Sequence, residues 1–230
     1  MGNLIVIEGS DGAGKETQTQ LLQAFFQSAG TAFESVSFPN YHEAYSAPVR
    51  MYLSGDFGEK PSDVSAYAAS VLFSVDRFAS FRTNWKDAYE AGTIILADRY
   101  IPSNMIHQAA KIEDPDQRKA FLCWVEDFEY RIMGLPRPRM IFFLDMPPEV
   151  SHRLRENRKN KADGSQEKDI HERDEAYMVA SYQTACQVAK AYKWIRIQCV
   201  EDGRLKSIEE IHQEIIVHLK MEEIIEEAME

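Results

Sequence analysis

The chain has 230 residues, 44% of them apolar, which is enough for one α/β domain with a sizeable core or at most two small ones. Lys and Arg total 26 against 37 Asp and Glu, and the formal net charge of −11 argues against a protein that coats nucleic acid or an anionic membrane. A small anionic ligand is not excluded, because a pocket can be locally basic on an acidic molecule.

Leu4 to Ile7 is an apolar run without polar alternation, the pattern of a strand buried on both faces. Leu21, Leu22, Phe25 and Phe26 fall at helical spacing between Lys15 and Ser28. Residues 31–38 read as a second strand closed by Pro39. Ser62-Asp63 offers a cap for a long helix running to about Glu90 and ended by Gly92. Residues 93–97 form the third strand, 102–133 two helices broken near Pro115, and 140–144 the fourth strand. Pro148 opens another helix, 157–172 is a polar loop, and helix resumes to about Tyr192. Residues 194–197 are the fifth strand, and Ser207 caps a last helix. Buried strands alternating with helices predict a parallel sheet covered on both faces, in a single domain over residues 1–220. Residues 201–230 carry a balance of −7, so an almost neutral body is followed by an acidic tail at 221–230, expected to be a solvated, fraying end.

Cys123, Cys186 and Cys199 are odd in number and widely spaced, which argues against a disulfide framework or zinc site and fits a reducing cytoplasm. Neither a signal peptide nor a membrane span is expected from the sequence.

The first strand leads into Gly9-Ser10-Asp11-Gly12-Ala13-Gly14-Lys15, and a helix follows. This is the G-x-x-x-x-G-K phosphate loop in its required setting: glycines bring backbone N–H groups onto phosphate oxygens, the helix terminus adds partial positive charge, and Lys15 supplies a point charge. The motif asks next for a hydroxyl on Mg²⁺, but Glu16 stands there, and Thr17 is turned about 100° away along the helix. Two readings of Glu16 stand side by side: it orients the metal's water shell, or it only helps to start the helix.

The third strand runs into Asp98-Arg99-Tyr100, with Ser103, Asn104, His107 and Gln108 beyond. Ligands in open parallel sheets bind past the carboxyl ends of strands, so Asp98 shares an edge with the phosphate loop. A carboxylate there can hold metal or accept a proton, and Arg99 can grip a second phosphate. Phe73 and Arg77 share a helix face suited to a planar base with a carbonyl edge.

Taken with Phe38-Pro39, Leu72-Phe73-x-x-Asp76-Arg77 and Leu144-Asp145-x-Pro147-Pro148-Glu149, these segments make the chain resemble the thymidylate kinase family over about residues 3–220. The resemblance implies a three-layer P-loop kinase fold with a five-stranded parallel sheet, and transfer of the ATP γ-phosphoryl group to dTMP. It implies Gly9 through Thr17 as the ATP site, Mg²⁺ held by Asp98 and Glu16, and a cytoplasmic homodimer using the 63–90 helix. Asp11 would bond the sugar 3′-hydroxyl, Phe73 would stack on thymine, and Arg77 would read its carbonyl edge. Arg99 would hold the monophosphate, with Phe38, Ser103, Asn104, His107 and Gln108 lining the substrate pocket. The 151–173 segment corresponds to a lid over ATP, and residues 151–161 carry a local +4. Arg158, then Arg155, is the expected catalytic arginine of that lid.

Three positions depart from the family pattern. Glu16 replaces a hydroxyl. The arginine often found after Phe-Pro is absent, with Arg50 as its candidate substitute. His107 stands where a tyrosine that helps exclude ribonucleotides is common. Asp145 is read as structural, not as a second metal ligand. The alternatives are a related kinase for another nucleotide or deoxynucleoside, such as dUMP, and a nucleotide-binding protein whose metal use Glu16 impairs.

Overall fold

A computed structural model of the chain describes residues 2–155 and 169–225. The strands β1 (Leu4–Gly9), β2 (Phe33–Ser37), β3 (Ile94–Asp98), β4 (Met140–Asp145) and β5 (Ile195–Gln198) form one sheet in the order β2-β3-β1-β4-β5. Every neighbouring pair is parallel. A short hairpin, β6 (Val200–Glu201) with β7 (Arg204–Leu205), follows the last strand. The helices in chain order are α1 (Lys15–Ser28), α2 (Ala47–Ser54), α3 (Ala66–Ser80), α4 (Lys86–Ala91), α5 (Ile101–Ser103), α6 (Pro115–Glu126), α7 (Pro148–Arg155), α8 (Ile170–Arg173), α9 (Glu175–Ala191) and α10 (Ile208–Met221).

The absence of polar alternation in the central strands has its cause in two cores. Leu4, Val6, Ile95, Ala97 and Phe143 face one, shared with Phe121 and Val125 of α6 and Val188 of α9. Ile5, Ile7, Leu96, Phe142 and Leu144 face the other, shared with Leu22 and Phe26 of α1 and Ile215 and Leu219 of α10. A smaller cluster of Val49, Tyr52, Leu53, Ala69 and Ile170 ties α2 and α3 to α8. From β1 the chain goes to β2 and β3 on one side and to β4 and β5 on the other. The crevice beyond the end of β1 is therefore the topological switch point of the sheet.

Several boundaries differ from the sequence reading. Ser62 and Asp63 lie in a 3₁₀ turn, Pro61–Asp63, in which the Asp63 carboxylate accepts from Lys60 N at 3.0 Å. The helix starts after Ser65, whose Oγ accepts from Ala68 N. It does not run evenly to residue 90, because a π turn, Phe81–Trp85, separates α3 from α4 and brings Phe81 and Trp85 together into the core. A second π turn, Asn104–Gln108, follows α5, and a third, Asp127–Ile132, follows α6. The expected break near Pro115 is present: helical turns end at Lys111 and α6 starts at Pro115, with Asp114 accepting from Gln117 N at 2.8 Å. Within the expected 157–172 loop, Asp169 caps α8 by accepting from His171 N and Glu172 N. The beginning of the acidic tail is docked instead of solvated: Ile224 is buried in the α1–α10 core, and Arg139 donates to Glu222 O at 2.9 Å.

Candidate active site

The phosphate loop joins β1 to α1, and its shape depends on glycine where no other residue fits. Gly12 and Gly14 have φ of 84° and 88°, in the left-handed region. A Cβ on Gly9 would stand 3.0 Å from Leu144 O, so the loop also packs too closely on β4 for a side chain there. Lys15 folds back over this loop. Its Nζ donates to Gly9 O at 3.0 Å and Ser10 O at 2.9 Å, and lies 3.8 Å from Asp11 Oδ1. Burial, then the nearby Arg99 charge, lowers its pKa to about 8.

Arg99 follows the last residue of β3 and has φ of 67°, a left-handed conformation costing a non-glycine residue on the order of 1–3 kcal/mol. The surroundings fix that conformation. Arg99 N donates to Ile7 O at 3.1 Å. The guanidinium bonds Asp11 Oδ1 and also donates to Glu8 Oε1 at 3.1 Å, Ser103 Oγ at 3.2 Å and His107 Nε2 at 3.2 Å. A guanidinium is always a donor, so His107 must accept at Nε2 and carry its proton on Nδ1. Burial and Arg99 push His107 down to about 3, which keeps it neutral. Burial also raises the Asp11 carboxyl, but Arg99 and Lys15 outweigh it and hold Asp11 well below the usual carboxylate range. Glu8 is fully buried and accepts from Gly9 N, Ser103 Oγ and Arg99; burial wins there and raises its pKa.

Asp98 ends β3 in register with Ile7 and Ser37, nearly buried, and its charge acts on both Lys15 and Arg99. Asp11, Phe38, Phe73, Arg77, Arg99, Ser103, Asn104, His107 and Gln108 all line one cleft beyond the strand ends. Tyr41, Asp169 and His171 line it too. Burial, then the Asp11 charge, pushes the Asp169 carboxyl up to about 7.

At the other end of this cleft, Arg77 is held by a carboxylate that its own spacing could not reveal. Glu129 accepts from Arg77 Nε and Nη2, each at 2.7 Å, and from Asn104 Nδ2 at 2.8 Å. Arg77 and Glu129 are both almost wholly buried. Gln108 Oε1 is buried without a hydrogen-bond partner among the described residues.

The thymidylate kinase family model matches residues 7–215. The chain belongs to the thymidylate kinase family. Members are phosphotransferases that move the ATP γ-phosphoryl group to dTMP, and this chain is an enzyme of that class. It is 32% identical to a thymidylate kinase of Mycobacterium tuberculosis over 172 residues, 74% of this chain and 78% of the relative. It is 29% identical to a probable thymidylate kinase of Thermococcus gammatolerans over 220 residues, 94% and 95% of the two chains. Its fold is similar to a thymidylate kinase structure from Candida albicans, with a TM-score of 0.70 at 21% identity, covering 100% of this chain and 97% of that one.

Other sequence-predicted residues fall outside the cleft. Glu16 is exposed on the first turn of α1, in an adjoining groove with Glu34, Asn40 and His42. Arg50, the candidate substitute for the missing arginine, does not line the cleft: its Nη1 donates to Tyr41 O, Glu43 O and Ser46 Oγ and braces the loop. Asp145 is committed to Tyr182 Oη at 2.8 Å and Arg196 Nε at 2.6 Å, which agrees with its structural reading. Arg155 ends α7, but its side chain, like the whole of Arg158, lies outside the described residues.

Proposed function

We propose that Lys15 holds the transferring phosphates of ATP while Arg99 holds the phosphate of dTMP, one on each side of Asp11. The observation that carries this is the ion-pair contact of Asp11 with both cations: it lies 3.8 Å from Lys15 Nζ and bonds the Arg99 guanidinium directly. Two cations converging there suit two phosphate groups approaching in line. Backbone N–H groups of the loop and the amino terminus of α1 add donors at the ATP side. The acceptor phosphate is already ionised at neutral pH, so the protein's task is positioning and charge neutralisation. Asp11 then exchanges part of its pairing for the sugar 3′-hydroxyl.

Phe73 stacks on the base and Arg77 offers its carbonyl edge a guanidinium that Glu129 keeps rigid. Asn104, Gln108, Ser103, His107 and Phe38 complete the wall. Of the 151–173 segment, Asp169 and His171 line the dTMP cleft, so the part before them would serve as the lid over ATP, with Arg158 or Arg155 reaching the transferring group.

The donor set suits Mg²⁺. Asp98 is a nearly buried carboxylate beside Lys15 and Arg99, and no cluster of three ligating side chains is present among the described residues. Mg²⁺ keeps several waters and takes one or two carboxylates plus phosphate oxygens. Asp98 would hold it, with Glu16 contributing through water, and the bound ion neutralises charge on the phosphates.

An exposed stripe of Tyr67, Val71, Val75 and Phe78 at successive turns of α3 supports a homodimer packed through that helix. Free Cys123, Cys186 and Cys199 support a reducing, cytoplasmic setting. Among the described residues no helix is long and apolar enough to cross a membrane.

Kinetics separate the two cations. Lys15→Met is expected to weaken ATP use and Arg99→Lys to raise KM for dTMP about tenfold or more with KM for ATP unmoved, since Lys keeps the charge but loses the bidentate fork. Arg99→Lys with an unchanged dTMP KM defeats the assignment.

A further inference from the structure

Behind the cleft, side chains from three separate segments form one hydrogen-bonded line. Lys111 Nζ donates to Tyr52 Oη at 2.8 Å and to Val64 O at 3.1 Å. Tyr52 Oη lies 2.8 Å from His171 Nε2. Tyr52 is fully buried, and His171 lines the cleft. Burial lowers the Lys111 pKa to about 7, and below that pH its ammonium has only donors, so Tyr52 Oη accepts from it. The phenolic proton then has His171 Nε2 as its acceptor in this geometry, and a neutral imidazole that accepts at Nε2 carries its proton on Nδ1. Burial keeps His171 far below the usual histidine range and so neutral.

The His171 ring stacks parallel to His107, with centroids 5.8 Å apart and planes 15° apart. Arg99 fixes His107 in the same tautomer from the other side. His171 lines the cleft together with Asp11 and Arg99, and its stack on His107 sets it beside the ring that bonds Arg99. With Nε2 taken by Tyr52, Nδ1 is the ring nitrogen left to meet a ligand there.

We propose that Lys111, acting through Tyr52, fixes His171 as the Nδ1–H tautomer, and that His171 donates from Nδ1 to an oxygen of the deoxyribose of bound dTMP. His171 is thereby a substrate-binding residue, and Tyr52 and Lys111 are positioning residues. The inference rests on reading this cleft as the dTMP site.

Two measurements on the full chain test it. Long-range ¹H–¹⁵N spectra of the imidazoles report the tautomer directly. Steady-state kinetics compare Tyr52→Phe, Lys111→Met, His171→Phe and the Tyr52→Phe/His171→Phe double variant. The unaltered chain is expected to show His171 protonated at Nδ1, and Tyr52→Phe to mix the tautomers. Loss of the His171 hydrogen bond raises KM for dTMP about five- to tenfold in His171→Phe, while Tyr52→Phe and Lys111→Met, which leave a fraction of His171 in the donating tautomer, raise it about twofold, with kcat and KM for ATP within about twofold in each. The double variant is expected to be no worse than His171→Phe alone, because both substitutions remove the same bond. Protonation at Nε2 in the unaltered chain, or effects that multiply in the double variant, overturns the proposal. A chain that does not turn over dTMP at all overturns the site assignment as well, and is distinguished because the unaltered protein is itself inactive.

Discussion

Replacing Glu129 with Ala should expose how the base end of the cleft is built. Arg77 and Glu129 are a buried ion pair with two 2.7 Å hydrogen bonds, and Asn104 makes a third to the same carboxylate. Removing the carboxylate leaves a guanidinium in the interior with nothing to neutralise it, at a cost of roughly 3–5 kcal/mol. For a chain of this size each kcal/mol moves Tm by about 2–4 °C, so Tm should fall by roughly 6–20 °C. The companion variant, Arg77→Met with Glu129→Leu, removes both charges and fills the space with apolar groups. It should recover most of the lost Tm, because a buried pair replaced as a whole is often neutral in stability. It should not recover dTMP binding, because the guanidinium proposed to read the base is gone. Differential scanning calorimetry with dTMP KM on the same preparations separates the two effects. A Glu129→Ala shift below about 2 °C, or a double variant that binds dTMP normally, would refute the reasoning.

Other expectations follow from the same geometry. Lys15 has its pKa lowered to about 8, below its unfolded value, so the free enzyme holds the charge only below that pH. kcat/KM for ATP should be flat below about pH 8 and decline above it, while the folded state gains relative stability as pH rises from there toward the unfolded pKa; a flat ATP profile to pH 9.5 contradicts this. Asp98→Asn should remove most activity, whereas Glu16→Ala should mainly raise the Mg²⁺ concentration needed, and equal effects would refute the division of roles. Asp145→Asn should lower Tm by a few degrees with kcat unchanged, since Asp145 is held by Tyr182 and Arg196. Val75→Lys should yield monomers by light scattering, and an unaltered dimer would move the interface off α3.

Much of the site was legible because its signals are local. The phosphate loop is seven consecutive residues, and Arg99, Ser103 and His107 fall one helical turn apart in sequence and in space. The partners that hold these groups are distant: Glu8 is 91 residues from Arg99, Glu129 is 52 from Arg77, and His171 is 119 from Tyr52. No spacing rule reaches across such gaps. The same holds for Arg50, whose acceptors are loop carbonyls that exist only once the loop has folded. Ser65 outcompeted Ser62 as the helix start because Asp63 closes its own turn first. The β6–β7 hairpin has strands of two residues, too short to show a period. Ile224 read as part of a fraying end because its burial depends on α1 and α10 already being packed.

The most direct measurement is ADP formation with ATP, Mg²⁺ and each nucleoside monophosphate in turn, with the product identified by chromatography. dTMP should support the highest kcat/KM and give dTDP. Turnover of another monophosphate with none for dTMP would contradict the account at its centre.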